Sequence, residues 1–151
     1  NSKYDKVIRK EAVFTDQEQN GYQLFKNNCA SCHTEPLFTN GKYENNGIPI
    51  DTTLNDIGRQ RITEKSEDYL KFKVPTLRNI QFTNPYMHDG RFNKLTEVIK
   101  HYNSITNNKN VSKQLKKSMN LTDNERVDLV AFLLTLTDHE FLFNKRFVYP
   151  R

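Results

Sequence analysis

The sequence predicts an all-α domain, and three observations carry that prediction. Two stretches, Thr15–Glu18 and Thr122–Glu125, have the Thr-x-x-Glu form of a helix-starting box. In such a box the hydroxyl and the carboxylate each satisfy a backbone N–H that the first helical turn leaves free. Both are followed by apolar residues at helical spacing. The period-two alternation of half-buried strands is weak throughout.

Taken in order, residues 1–14 read as an N-terminal arm and residues 15–151 as one domain. The first helix starts at Thr15 and carries Tyr22, Leu24 and Phe25 on its apolar face. Residues 34–65 are polar and hold Pro36, Gly41, Gly47 and Pro49, which predicts a long loop with a few turns. Ser66, Glu67 and Asp68 can cap a short helix through Phe72, which Val74–Pro75 would end. Another helix begins at Asn93, with Leu95, Val98, Ile99 and Tyr102 recurring at helical spacing. Residues 104–120 are rich in Asn and Lys and read as an exposed excursion. The last helix runs from about 123 to 137, with Val127, Val130, Leu133 and Leu134 on one stripe.

The chain has 151 residues, of which 35% are hydrophobic. That length suits one domain, and ten Phe and seven Tyr can anchor a thin core. The most apolar run, Leu129 to Leu136, falls far short of the roughly 18 residues of a membrane span. Lys plus Arg is 23 against 18 for Asp plus Glu, a net charge of +5. The cations are scattered apart from Lys113, Lys116 and Lys117, which reads first as a solvated face and next as a docking surface for an acidic protein. No aromatic-plus-basic motif accompanies the charge, which argues against nucleic acid. The chain starts at Asn1 without a secretory leader, as a processed or a cut chain would.

Cysteine usage is the informative feature. The two cysteines are Cys29 and Cys32, and His33 follows directly. Cys29-Ala30-Ser31-Cys32-His33 reads as a c-type haem attachment site. Two thiols at this spacing can add across the two haem vinyl groups, and the adjacent imidazole becomes the proximal iron ligand. A thioredoxin-like CxxC would follow a strand in a βαβ unit, and none is visible. A zinc site needs two further ligands at short spacing, and His88 and His101 lie far off. A local disulfide would leave His33 unexplained.

A helix leading into CxxCH, with a second helix near the chain's end, resembles the arrangement of class I cytochromes c. The expectation is a domain of that kind, with long loops around one covalently bound haem c. The run Phe72-Lys73-Val74-Pro75-Thr76-Leu77-Arg78-Asn79-Ile80, then Pro85-Tyr86-Met87-His88-Asp89-Gly90, closely resembles the bacterial di-haem cytochrome c peroxidase and MauG family. Leu95–Ile99, His101–Asn103 and the tail from Leu136 through Pro150 continue the match. Family members have two haem domains, each with its own CxxCH. This chain has one, and its motifs resemble those of the C-terminal, electron-transfer domain. The resemblance implies a partner for it, the N-terminal peroxidatic haem domain, and a small electron donor, a cytochrome c or a cupredoxin. It also implies an exported, periplasmic location, because haem is attached covalently outside the cytoplasm.

The sixth iron ligand has several candidates. Spacing alone makes Tyr102 a core aromatic of its helix. The resemblance gives it another role, because the family's distal ligand lies fourteen residues beyond the histidine matched by His88, and that position is Tyr102. Many peroxidases have Met there, whereas Tyr resembles the MauG arrangement. Met87 is the alternative, since thioether is the commoner partner of His in cytochromes c; it reads equally well as a gap-filler. Met119 is a weaker candidate, and His101 and His139 read as surface residues. The resemblance also places Arg78 and His88 near the haem, Arg78 to pair with a propionate and His88 within the pocket. It implies a calcium ion held by the backbone carbonyls of Thr83 and Pro85, with a further ligand from the other domain. The implied function is electron transfer to a peroxidatic haem for hydrogen peroxide reduction. The alternatives are MauG-like oxidation of a protein substrate and a free-standing mono-haem electron carrier.

Overall fold

A computed structural model describes residues 1–105, 111–115 and 118–147. Lys116 and Lys117 of the basic cluster, part of the excursion (106–110) and the tail from Val148 lie outside the described residues. The fold is mostly helical, with one two-stranded sheet: α1 (Lys3–Ile8), α2 (Asp16–Asn28), β1 (Tyr43–Glu44), α3 (Gln60–Thr63), β2 (Phe72–Lys73), α4 (Leu95–Asn103), α5 (Asp123–Leu134) and α6 (His139–Leu142).

Both Thr-x-x-Glu boxes start helices as expected. Thr15 caps α2 and Thr122 caps α5, and in each the Glu three residues on reaches back to the cap N–H. The first 14 residues are not a free arm. Ser2 and Asp5 form a third capping box, and α1 buries Tyr4 to 4% exposure in the core. The Tyr4 N–H also donates to the Thr135 carbonyl at 3.0 Å, tying α1 to the end of α5.

Helices α2 and α5 cross in close contact, and Gly21 is the reason they can. A Cβ at this position would stand 1.9 Å from the Asp128 carbonyl oxygen. Around the crossing, Phe25, Phe38 and Phe132 are fully buried and tilted against one another at 5.1–6.3 Å between ring centres. Edge-to-face and tilted pairs of this kind gain over area burial alone. The buried face of α5 is Leu129, Phe132 and Leu133, continued by Leu136 just past its end. This corrects the expected stripe: Val127 and Leu134 are exposed. The helix ends at Leu134, three residues earlier than expected, where the Thr135 hydroxyl turns back to the Phe132 carbonyl at 2.6 Å.

The middle of the chain departs most from expectation. Ser66–Asp68 is a single 3₁₀ turn, and Phe72 lies in a strand, not a helix. The Asp68 carboxylate accepts from Arg59 Nε (3.0 Å), Thr63 Oγ1 (2.9 Å) and Lys71 Nζ (3.3 Å), which pulls the segment into a loop. Strands β1 and β2 pair antiparallel, Tyr43 opposite Lys73 and Glu44 opposite Phe72. That short ladder ties the long 34–65 loop to the 72–90 segment. The excursion after α4 is anchored, since Ile105 and Val111 are buried. Helix α4 starts at Leu95, with Glu97 accepting from the N–H groups of Asn93 and Lys94, both at 2.9 Å.

Candidate haem site

The CxxCH motif sits at the C-terminal end of α2. Cys29 is the C-cap residue, its N–H donating to the Phe25 carbonyl. The next turn is closed by N–H groups of Cys32 and His33, both donating to the Cys29 carbonyl at 3.1 and 2.9 Å. This wraps the two thiols and the imidazole around one turn of chain. Both thiols are unpaired with each other and part-buried. Burial pushes the Cys29 thiol up to about 12, with the nearby Cys32 adding to the shift. It therefore stays protonated at neutral pH.

His33 is oriented by the backbone. Its Nδ1 lies 3.0 Å from the carbonyl oxygen of fully buried Phe38. That partner makes Nδ1 the protonated nitrogen and leaves Nε2 as the one with a free lone pair. Burial holds the imidazole below its usual range, against the opposing effect of the Phe38 and Pro75 carbonyls. A neutral imidazole with one nitrogen fixed is what iron ligation requires.

Tyr102, on the last turn of α4, comes to the same place. Burial pushes its phenol up to about 12, the nearby Asn46 side chain acts the other way, and Cys29 and Cys32 add to the rise. The phenol thus shares one environment with the two thiols. Met87 approaches from the loop before α4, its Sδ accepting from Asn46 Nδ2 at 3.5 Å. The structure therefore brings Cys29, Cys32, His33, Tyr102 and Met87 into one neighbourhood. Cys29 and Ala30 of the motif, with Leu24 just before it, are only partly buried where they pack against the core. Free thiols at vinyl spacing and an oriented neutral imidazole together fit a covalently attached haem c.

Two residues expected in the haem pocket make other contacts in this structure. Arg78 does not present a free guanidinium to a propionate. Its Nε and one terminal nitrogen donate to the Pro36 carbonyl (3.0 and 2.6 Å), and the other donates to Asp5 (2.9 Å) and Ser2 (3.2 Å). It clamps α1 onto the loop after CxxCH. His88 is exposed and lies flat on Phe72, 3.6 Å between ring centres. Thr83 and Pro85 are exposed in the turn before Tyr86, and the Thr83 hydroxyl donates to the Ile80 carbonyl at 3.3 Å. His101 is not a loose surface residue, because its Nε2 is 2.8 Å from the Asn46 carbonyl. Sequence reading passed over Asn46 altogether: in an Asn-Asn-Gly stretch it signals a turn, and nothing local marks its contacts to residues more than forty positions away. A cleft of about 620 Å³ lies at the other end of the fold, between Lys3, Glu18 and Thr137, and holds none of these residues.

The model of the cytochrome c family matches residues 18–137, most of the chain. The chain belongs to the cytochrome c family. This cytochrome c domain is 33% identical to the methylamine utilization protein MauG of Paracoccus denitrificans, over 93% of the chain and 47% of that protein. It is 35% identical to the cytochrome c551 peroxidase of Nitrosomonas europaea, over 90% of the chain and 39% of that protein. Its fold superposes on a MauG-like protein associated with microbial copper homeostasis with a TM-score of 0.89, 33% identity, and coverage of 99% of this chain and 55% of that one. The diheme peroxidase BthA from Burkholderia thailandensis follows at TM-score 0.77 and 27% identity, covering 94% and 47%. The domain thus spans about half the length of the larger relatives it matches. Among the described residues no helix is long and apolar enough to cross a membrane.

Proposed function

We propose that this cytochrome c domain transfers electrons to a peroxidatic haem, for the reduction of hydrogen peroxide, in a di-haem cytochrome c peroxidase-like protein. The observation that carries the reading is the joining of one CxxCH site to a phenol and a thioether inside a fold half the length of its relatives. Bound haem supplies one-electron exchange at its iron. Cys29 and Cys32 would hold the porphyrin as thioethers, and His33 Nε2 would bind the iron, its tautomer kept by the Phe38 carbonyl. Tyr102 would supply the second iron ligand. With both iron ligands supplied by the chain's own residues, peroxide would find no free site here. Its reduction falls to a partner domain, and a small cytochrome c or cupredoxin acts as donor. Calcium bound by the Thr83 and Pro85 carbonyls would join the two domains, and the CxxCH site supports an exported location, since haem is attached covalently outside the cytoplasm.

A second reading, MauG-like oxidation of a protein substrate, is favoured by Tyr102 specifically. Phenolate is a hard anion that stabilises ferric and higher states, whereas thioether favours ferrous iron and raises the potential. Absorption and EPR spectra of the ferric protein, wild type beside Tyr102→Phe, separate the ligands. Loss of a phenolate-to-iron band in the variant supports Tyr102. Identical spectra with the far-red sulfur-to-iron band of Met ligation overturn it in favour of Met87. Peroxide turnover is the check on the division of labour: the haem-loaded domain alone, with reduced donor, should consume no peroxide above a haem-free control. Sustained turnover by the isolated domain would overturn the electron-transfer assignment.

A further inference from the structure

We propose that Thr76 and Arg78 are positioning residues for the haem iron: they hold the 36–39 loop so that the Phe38 carbonyl stays on His33. The inference rests on His33 as an iron ligand, and on neither Tyr102 nor the direction of electron flow.

The first support is a strained residue at the point that matters. Phe38, whose carbonyl accepts from His33 Nδ1 at 3.0 Å, has a φ of +55°. That is the left-handed region, which a residue with a side chain enters only at a cost. Such a backbone persists where its surroundings over-determine it. The Phe38 side chain is fully buried, but Pro36 and Leu37 before it are exposed, so apolar burial does not hold the loop on that side.

The second support is that hydrogen bonds hold it instead, one carbonyl after another. Arg78 Nε and a terminal nitrogen both donate to the Pro36 carbonyl, at 3.0 and 2.6 Å. Thr76 Oγ1 donates to the Leu37 carbonyl at 2.6 Å and itself accepts from the Arg78 N–H at 3.1 Å. The Thr39 hydroxyl closes the loop from the far side, donating to the Val74 carbonyl at 2.6 Å. The Arg78 guanidinium also lies 5.1 Å from the centre of the Phe38 ring. Pro36, Leu37 and Thr39 are thus each tied to the 74–78 segment, and the Phe38 carbonyl between them serves the imidazole.

A hydrogen bond from Nδ1–H fixes the ring and makes Nε2 the more basic ligand. A more basic axial ligand favours ferric over ferrous iron. Loosening the 36–39 loop therefore moves the balance toward ferrous, which a general loss of stability does not.

The test is the midpoint potential of the haem-loaded protein, with urea unfolding of the same samples. Thr76→Val removes a hydroxyl at an exposed position, and Thr76→Ser returns it. The double variant Thr76→Val/Arg78→Met takes away every side-chain donor to the Pro36 and Leu37 carbonyls. Loss of one hydrogen bond of ordinary strength on the imidazole changes the ferric-to-ferrous balance roughly fivefold, or about 40 mV upward at about 59 mV per tenfold for one electron. The double variant should show that shift, Thr76→Val about a twofold change of about 18 mV, and Thr76→Ser the wild-type value. Asp5→Asn is the control, because it loosens the hold of Arg78 on α1 and leaves the Pro36 bonds in place. It should unfold more easily at the wild-type potential. If the double variant does not fold, Thr76→Val decides. Wild-type potentials in both Thr76→Val and the double variant, or an equal shift in Asp5→Asn, overturn this inference alone and leave Thr76 and Arg78 as a structural clamp. Pulsed EPR of the wild type without imidazole nitrogen coupling overturns His33 ligation and this inference with it.

Discussion

Gly21→Ala is the substitution that most sharply tests how the haem-bearing helix is held. Helix propensity alone favours it, because Ala is about 1 kcal/mol better than Gly inside a helix. The contact at the crossing opposes it. The new Cβ would stand 1.9 Å from the Asp128 carbonyl oxygen, 2.6 Å from its carbon and 2.9 Å from Phe132 Cβ. Ordinary carbon contacts lie near 3.5 Å, so the helices must part by roughly 1.5 Å. Two of the three clashing atoms are backbone and cannot rotate away. Overpacking of this kind costs about 3 kcal/mol, the upper end of its usual range. The net effect is a loss of about 2 kcal/mol, which for a chain of this size lowers Tm by roughly 4–8 °C. Gly41→Ala is the control: φ is +68° but nothing stands within 4 Å, so only a backbone cost of about 1 kcal/mol arises. Urea unfolding and thermal scans of the haem-loaded proteins measure both. Gly21→Ala as stable as wild type, or less damaging than Gly41→Ala, would refute the tight crossing.

Three further outcomes follow from the same contacts. Phe38→Ala empties a fully buried site and should cost about 3–5 kcal/mol in urea unfolding, with haem incorporation falling as the His33 anchor loosens. Thr122→Ala removes the hydroxyl that accepts from the Glu125 N–H at 3.3 Å and should cost about 1 kcal/mol, read as a Tm drop of roughly 2–4 °C. Asp5 is held down to about 2 from 3.8: burial alone would raise it, but hydrogen bonds from Ser2 and Arg78 prevail. A depressed carboxylate stabilises fully above its unfolded value and loses that contribution as pH falls through the folded one. Asp5→Asn should therefore cost about 2 kcal/mol at pH 7 and only about 0.4 kcal/mol at pH 2, where the folded group is half protonated; an equal loss at both would contradict the ion-pair account.

What the sequence showed, it showed through local rules. The two Thr boxes placed α2 and α5 because a cap is a four-residue interaction. CxxCH could be read because its chemistry is set by spacing. The face of α5 could not, since Leu129 through Leu134 are apolar without a break and periodicity offers several stripes. The choice of Leu129, Phe132 and Leu133 is made by the approach of α2 at Gly21, a tertiary event. Helix α1 escaped notice because its box is Ser-Lys-Tyr-Asp, with Asp in place of the usual Glu, and the helix has only six residues. Arg78 was assigned to the haem by resemblance, yet its donors go to Asp5 and Pro36, partners distant in sequence. Asn46 illustrates the same limit, since its contacts to Met87 and His101 come from the return of the chain in the 87–101 region.

The central claim is that Cys29, Cys32 and His33 hold one haem covalently. Its most direct test is the intact mass and pyridine haemochrome spectrum of denatured protein, produced by export together with haem-maturation machinery. The account predicts a mass increase of one haem per chain with both vinyl groups saturated, one vinyl restored in Cys29→Ala or Cys32→Ala, and no covalent haem in the double variant. Wild-type chain recovered without covalent haem, alongside a control cytochrome c that is fully loaded, would contradict it.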